Sequence, residues 1–244
     1  MDGQRFLEAR ARVTNILHKR EGIGTMQEKT LHAVLKYYYA PCEETHEIPI
    51  GSYIADIFDG RMITEIQTAK LFNLRAKLSS YLPSYPVTVV YPLVRTKWLG
   101  WIDTETGASS KLRKSTRQGT VYHAFAELYW IKSFLTDDNI RFSFPIVDVE
   151  EYRLLDGYSR DKKRGSHRYD RIPICLADEV HIECVEDYLQ FIPYDLAEPF
   201  TVKELAKRVK INHRSAGYVL NVLCHLGTIK RVANRGKEYC YIVA

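Results

Sequence analysis

Ser52-Tyr53-Ile54-Ala55-Asp56-Ile57-Phe58-Asp59-Gly60-Arg61-Met62-Ile63-Thr64-Glu65-Ile66-Gln67 is the stretch on which the fold turns. Its two halves, Ser52–Phe58 and Met62–Gln67, have the composition of strands, and Asp59-Gly60 between them is a hairpin turn signal. Side chains alternate faces along a strand, so Ile54, Asp56 and Phe58 share one face, as do Ile63, Glu65 and Gln67 on the partner. Asp56 and Glu65 thus sit among apolar neighbours on strands expected to be central. Burying a lone carboxylate there is costly. A cation offsets that cost, and two carboxylates converging from adjacent strands suit a hard divalent ion. Magnesium (Mg2+), with manganese (Mn2+) as an alternative, lowers the pKa of a bound water and neutralises charge on a scissile phosphate. Gln67 points the same way as Glu65 and is placed to orient that water. The competing reading makes Asp56 and Glu65 ordinary strand-end charges; Glu47 and Asp59 are lesser candidates, Asp59 mainly as a turn residue.

Outward from the hairpin, residues 3–20 carry loosely helical apolar spacing, and Glu21-Gly22-Ile23-Gly24 breaks the pattern. Thr25 with Glu28 three residues on has the capping-box pattern, so a helix is expected from Thr25 through Tyr39. Glu28 then either reaches the metal, directly or through water, or serves as a cap. His46–Ile50 is a further strand, Lys70–Tyr81 a helix, Pro86–Arg95 a strand and Lys97–Asp103 another candidate. Beyond lie a polar loop at 104–119 with Lys111, Arg113, Lys114 and Arg117, a helix over Tyr122–Leu135, and a strand over Ile140–Val149. A second basic loop at Gly157–Arg171 carries Lys162, Lys163 and Arg164, and Ile182–Pro193 reads as a connector. Either basic loop serves as a phosphate clamp or simply as a solvated surface.

Asp56, eight intervening residues and Glu65-Ile66-Gln67, behind a helix containing Gln27-Glu28-Lys29-Thr30-Leu31, resemble the motif of the PD-(D/E)XK nuclease superfamily. The element order helix–strand–strand–strand–helix–strand is similar to its common core, over roughly residues 22–103. The resemblance implies a restriction-endonuclease-like core of α/β (α+β) class, with a central mixed sheet flanked by helices. It also implies a metal site at Asp56, Glu65 and Glu28, and catalytic roles for Glu28, Asp56, Glu65 and Gln67. Two positions depart from the pattern: Ala55 stands where a proline is usual, and Gln67 where a lysine is usual. Lys70, Arg95 or Lys97 is the candidate for the missing cation.

From Phe200 the pattern changes. Thr201-Val202-Lys203-Glu204 is a capping box, Asn212 caps a second helix that Gly227 ends, and Thr228–Val232 and Tyr239–Val243 are strands around Ala233-Asn234-Arg235-Gly236. This resembles a winged helix-turn-helix. Residues 1–195 are therefore read as the nuclease domain, with 104–195 an elaboration, and 196–244 as the winged helix. The resemblance implies that Arg214, Tyr218 and Asn221 face the major groove while Lys230, Arg231, Arg235 and Lys237 line the wing. Contact with protein is the competing use of such a module.

Bulk properties are permissive. The chain has 244 residues, 45% hydrophobic and 27% charged, with a formal net charge of +5, which allows nucleic-acid binding without arguing for it. Five scattered cysteines without a Cys-x-x-Cys pair disfavour a disulfide framework or zinc site and fit a reducing cytoplasm. No membrane segment is expected. The expected function is a divalent-metal-dependent DNA endonuclease hydrolysing phosphodiester bonds. The alternatives are a non-catalytic winged-helix DNA-binding regulator on an inactive nuclease fold, and a protein-interaction scaffold. DNA is the expected partner, and a homodimer is one route to double-strand cutting.

Overall fold

A computed structural model describes residues 2–19, 29–157 and 165–244, the side chains of 16–19 excepted. The chain runs α1 (Gly3–Lys19), α2 (Thr30–Tyr39), β1 (His46–Ile50), β2 (Tyr53–Phe58), β3 (Ile63–Ile66), α3 (Arg75–Tyr81), β4 (Val87–Val90), β5 (Leu93–Asp103) and β6 (Arg113–Lys114). It continues through α4 (Phe125–Leu128), β7 (Ile140–Leu155), β8 (His167–Ile182), β9 (Phe200–Thr201), α5 (Val202–Arg208), α6 (His213–Leu226), β10 (Ile229–Arg235) and β11 (Glu238–Val243).

The fold is α+β, with a mixed central sheet flanked by helices. Strand order is β1-β2-β3-β4-β7-β5-β6, with β8 pairing along β7. β1, β2 and β3 are consecutive antiparallel neighbours, and β3 then runs parallel to β4. The turn between β2 and β3 is held as its residues require: Asp59 Oδ1 accepts from the Arg61 and Met62 N–H groups, both at 2.8 Å, and Gly60 takes φ +89°. A parallel neighbour needs a crossover, supplied by the 3-10 turn Leu71–Leu74 and α3.

Two cores result. On one face, Phe6, Val13, Leu31, Val34 and Leu35 of α1 and α2 pack against Ile57, Ile66, Val90, Val147 and Val149. On the other, Leu71, Leu74, Leu78 and Tyr81 cover Ile63, Val87, Val89 and Phe142, and this core runs on through Phe125 and Leu128 into Leu205, Val219 and Leu223. The boundary read at 195/196 thus separates two groups of elements but not two cores.

Four sequence expectations are corrected. The helix expected from Thr25 begins at Thr30, with Lys29 at its N-cap giving no side-chain capping bond; Thr25 and Glu28 lie outside the described residues. The cap comes from a distant strand: Asp170 Oδ1 accepts from the Thr30 N–H at 3.2 Å, and Asp170 also bonds the Thr30 hydroxyl. The helix expected over Tyr122–Leu135 is α4 between two 3-10 segments, because Ile131 leaves helical geometry at φ −120°, ψ 17° while its side chain is fully buried. Pro86–Arg95 divides at Tyr91-Pro92, since proline lacks the N–H a ladder needs, and β5 continues unbroken through Lys97. Finally, β7 extends to Leu155 and pairs with β8, so His167–Arg171 belong to a strand rather than to the loop. Lys162, Lys163 and Arg164 lie outside the described residues.

α2 is fixed to β8 by a polar knot. The nearly enclosed Glu179 carboxylate accepts from Tyr38 Oη (3.0 Å), Ser143 Oγ (2.8 Å) and Tyr39 Oη. Burial, then the Glu179 charge, raise the Tyr39 pKa, so it stays a donor. Tyr39→Phe removes one partner of an enclosed carboxylate and is expected to lower stability by about 1–3 kcal/mol, read as a shift of the urea midpoint at unchanged m.

Candidate active site

The Asp56–Glu65 pair sits where β2 and β3 part. Their ladder holds Ile57↔Thr64 and Phe58↔Ile63, and Asp56 Oδ2 accepts the Ile66 N–H at 2.7 Å in place of a backbone partner. The same oxygen lies 3.3 Å from His32 Nε2, on the first turn of α2. Glu65, in a strand buried along its length, is 1% exposed. Lys77 reaches down from α3 and places Nζ 3.0 and 2.8 Å from its two oxygens, and 2.7 Å from the Ile54 carbonyl.

The two acids are pushed apart electrostatically. Burial raises the Glu65 carboxyl, the Asp56 charge raises it further, and Lys77 offsets this only in part, leaving its pKa at about 7. Burial raises Asp56 too, but the His32 hydrogen bond and charge, the Ile66 N–H and Lys77 outweigh it and hold Asp56 below the usual aspartate range. One carboxylate is thus ionised while its neighbour gains and loses a proton near neutrality, as acid–base and metal sites require. The Tyr81 hydroxyl lies within electrostatic reach of both carboxylates. It is buried with no hydrogen-bond partner among the described residues. Buried orphan hydroxyls are rare and point to a bound water or ion.

Mg2+ characteristically takes one or two carboxylates and retains several waters, and Asp56 and Glu65 fit that donor set. Among the described residues, no three His, Cys, Asp or Glu side chains are grouped to hold a metal; Glu28 is not among them. Gln67 follows β3 half-buried, its N–H bonded to the Val90 carbonyl at 2.9 Å.

The cation that sequence reasoning missed is Lys77. Arg95 is held by Asp148 through two bonds of 3.0 and 2.6 Å, and Lys97 lies 3.6 Å from Glu151; Lys70 is exposed. A signal for Lys77 was present: Leu74, Lys77, Leu78 and Tyr81 have i, i+3, i+4, i+7 spacing, which puts a lysine in the apolar stripe of a short helix. Of the lesser candidates, Asp59 is the turn residue it was read as, and Glu47 pairs with Lys36 at 2.8 Å.

In the C-terminal segment, Thr201 and Glu204 form the capping box (2.7 and 3.3 Å), Asn212 caps α6 through the Ser215 N–H (2.8 Å), and Gly227 ends it at φ +75°. Arg214 and Asn221 are exposed on α6. Tyr218 is drawn into the core edge against Tyr129, with ring centroids 5.3 Å apart, and Asn221 accepts from Lys132 Nζ at 3.3 Å. Lys230, Arg231 and Lys237 are exposed on the β10–β11 hairpin, whereas Arg235 is tied to Glu204 at 2.7 Å and to the Pro199 carbonyl at 2.9 Å.

A family model for a domain of unknown function, DUF8091, matches residues 29–183, more than half of the chain. The chain belongs to the DUF8091 family. The DUF8091 match spans α2 to β8 and so contains Asp56, Glu65 and Lys77, but ends before α5. An uncharacterized protein of Treponema pallidum (strain Nichols) is 26% identical over 227 residues, covering 90% of this chain and 86% of its own length. No solved structure matches the chain significantly. Among the described residues, no helix is long and apolar enough to cross a membrane.

Proposed function

We propose that this DUF8091 protein is a divalent-metal-dependent nuclease of the PD-(D/E)XK kind that hydrolyses phosphodiester bonds in DNA. The observation that carries this reading is the meeting of Asp56, Glu65 and Lys77 at the point where β2 and β3 diverge. The order α2–β1–β2–β3–α3–β4, with three antiparallel strands and a parallel fourth, supports a restriction-endonuclease-like core. Asp56 and Glu65 would hold Mg2+ or Mn2+, which when bound supplies an acidified water and charge neutralisation at the phosphate. Lys77 takes the role of the lysine absent at Gln67: it limits the rise of the Glu65 pKa and offers a cation beside the scissile group. Gln67 and Tyr81 offer polar groups to a reacting water, and His32 holds Asp56 in place. Glu28 is a further ligand candidate.

The C-terminal segment is read as a winged helix that engages DNA through Arg214 and Asn221 and through the hairpin cations Lys230, Arg231 and Lys237. Tyr218 has less freedom than a groove-reading side chain needs. One such site cuts one strand, so a homodimer or two successive nicks would sever a duplex. The test is cleavage of supercoiled plasmid with Mg2+ and with Mn2+, against an EDTA control. Metal-dependent nicking is the expected result. A folded protein that shifts DNA on a gel but cuts nothing would favour the alternative, a non-catalytic DNA-binding regulator. The Lys77–Glu65 ion pair favours that alternative too, since it partly neutralises the acid pair without any metal.

A further inference from the structure

Where α2 begins lies a cavity of about 100 Å³ lined by Lys29, Thr68, Arg168 and Arg171, with Asp170 in its wall. Its volume corresponds to about three waters at ~30 Å³ each, enough for one tetrahedral oxyanion. Thr68 follows Gln67 in sequence, and Lys29 precedes the turn of α2 that carries His32, so two chain segments that carry candidate-site residues also line the cavity.

The charge balance favours an anion. Asp170 is engaged by the Thr30 N–H and hydroxyl and by the Arg171 N–H at 2.7 Å. Arg171 gives Nε to Glu151 at 3.0 Å, which leaves its remaining N–H groups available. Lys29 donates to the Tyr169 carbonyl at 2.7 Å and keeps further donor capacity. Arg168 has no ion pair or hydrogen bond among the described residues and is open to solvent. Crowding around its charged end, and the neighbouring Arg171, lower its pKa. Three cations facing two carboxylates that are both already engaged, Asp170 and Glu151, form an environment that a phosphate relieves, because guanidinium groups bond phosphate oxygens in pairs.

We propose that this cavity is a phosphate subsite that takes one backbone or terminal phosphate of a polynucleotide. The oxyanion chemistry follows from the cavity; the polynucleotide source rests on the nuclease reading. The test is binding of a short single-stranded DNA, with and without a 5′-phosphate, and of adenosine monophosphate, all in EDTA so that no cleavage intervenes. The wild type is compared with Arg168→Gln and Lys29→Gln, both at exposed positions, with matching thermal melts as the folding control. Each variant is expected to weaken DNA binding about tenfold at low salt and to reduce the slope of log K against log salt by about 0.7, the loss of one phosphate contact. If terminal phosphates are preferred, the 5′-phosphorylated strand loses more than its 5′-hydroxyl counterpart. Unchanged DNA affinity and slope in both variants would overturn the proposal. So would weakened binding of the mononucleotide alone, which would assign the cavity to a free nucleotide. Loss of DNA affinity in the variants, alongside a wild type that cuts nothing in Mg2+, would leave the phosphate subsite standing and remove the nuclease reading.

Discussion

Asp56→Ala is expected to abolish metal-dependent nicking of supercoiled plasmid while leaving DNA binding in EDTA intact. The carboxylate is the ionised member of the pair, held below the usual aspartate range against its own burial, and so supplies the permanent negative charge that would draw a divalent ion. Metal-assisted charge stabilisation contributes several kcal/mol to the transition state, so its loss is expected to cost on the order of 10³-fold or more in rate. The substitution also removes the acceptor of the Ile66 N–H. Asp56→Asn separates the two effects, because its amide oxygen still accepts that hydrogen bond but carries no charge. Both variants are expected to be inactive, with Asp56→Asn melting closer to the wild type. Full nicking activity in Asp56→Asn would mean that the carboxylate charge is not used, and the assignment of this pair would fail.

Lys77→Met is expected to produce a pH-dependent loss of stability. In the fold the Glu65 carboxyl is pushed up to about 7 from an ordinary 4.5, so between those values the folded chain holds a proton that the unfolded chain has released. The contribution of this group to stability is therefore greatest at low pH and falls as pH rises from about 4.5 to about 7. Lys77 is what limits that fall, and without it the Glu65 pKa moves higher still. At pH 5 Glu65 is protonated in both proteins and the difference in urea stability is expected to be small. At pH 8 the variant must either bury an unpaired carboxylate or hold its proton above the wild-type titration, and the second route limits the expected extra loss to about 1 kcal/mol. A divalent ion can replace the missing charge, so under the metal-site reading Mg2+ raises the melting temperature of Lys77→Met more than that of the wild type at pH 8. An equal loss at pH 5 and pH 8 would show that Lys77 acts through packing of its stem rather than through the Glu65 charge.

Much of the candidate site was legible because it rests on local rules. Asp59-Gly60 fixes a hairpin, the period of two fixes which residues share a face, and together these bring Asp56 and Glu65 side by side. Capping chemistry likewise marked Thr201, Asn212 and Gly227, each of which satisfies a helix end from within a few residues. Failures gathered where partners lie far apart in sequence. The start of α2 is capped by Asp170, 140 residues away. His167–Arg171 read as a loop because their polar composition suits solvent, yet β7 supplies a backbone ladder that the composition does not announce. The missing cation was sought at Lys70, Arg95 and Lys97, but Asp148 holds Arg95 and Glu151 attracts Lys97, leaving Lys77 on the crossover helix to meet Glu65.

By itself, then, the sequence determined the hairpin, the two carboxylates on it and the ends of the two C-terminal helices, because turn chemistry, strand alternation and capping act over a few residues. Tertiary structure alone decided which cation sits on Glu65, why its proton is lost near neutrality, how the C-terminal helices share a core with the sheet, and which basic residues surround the cavity beside α2. Those outcomes depend on burial and on contacts across the sheet, and neither desolvation nor long-range charge proximity is written in any local stretch of the chain.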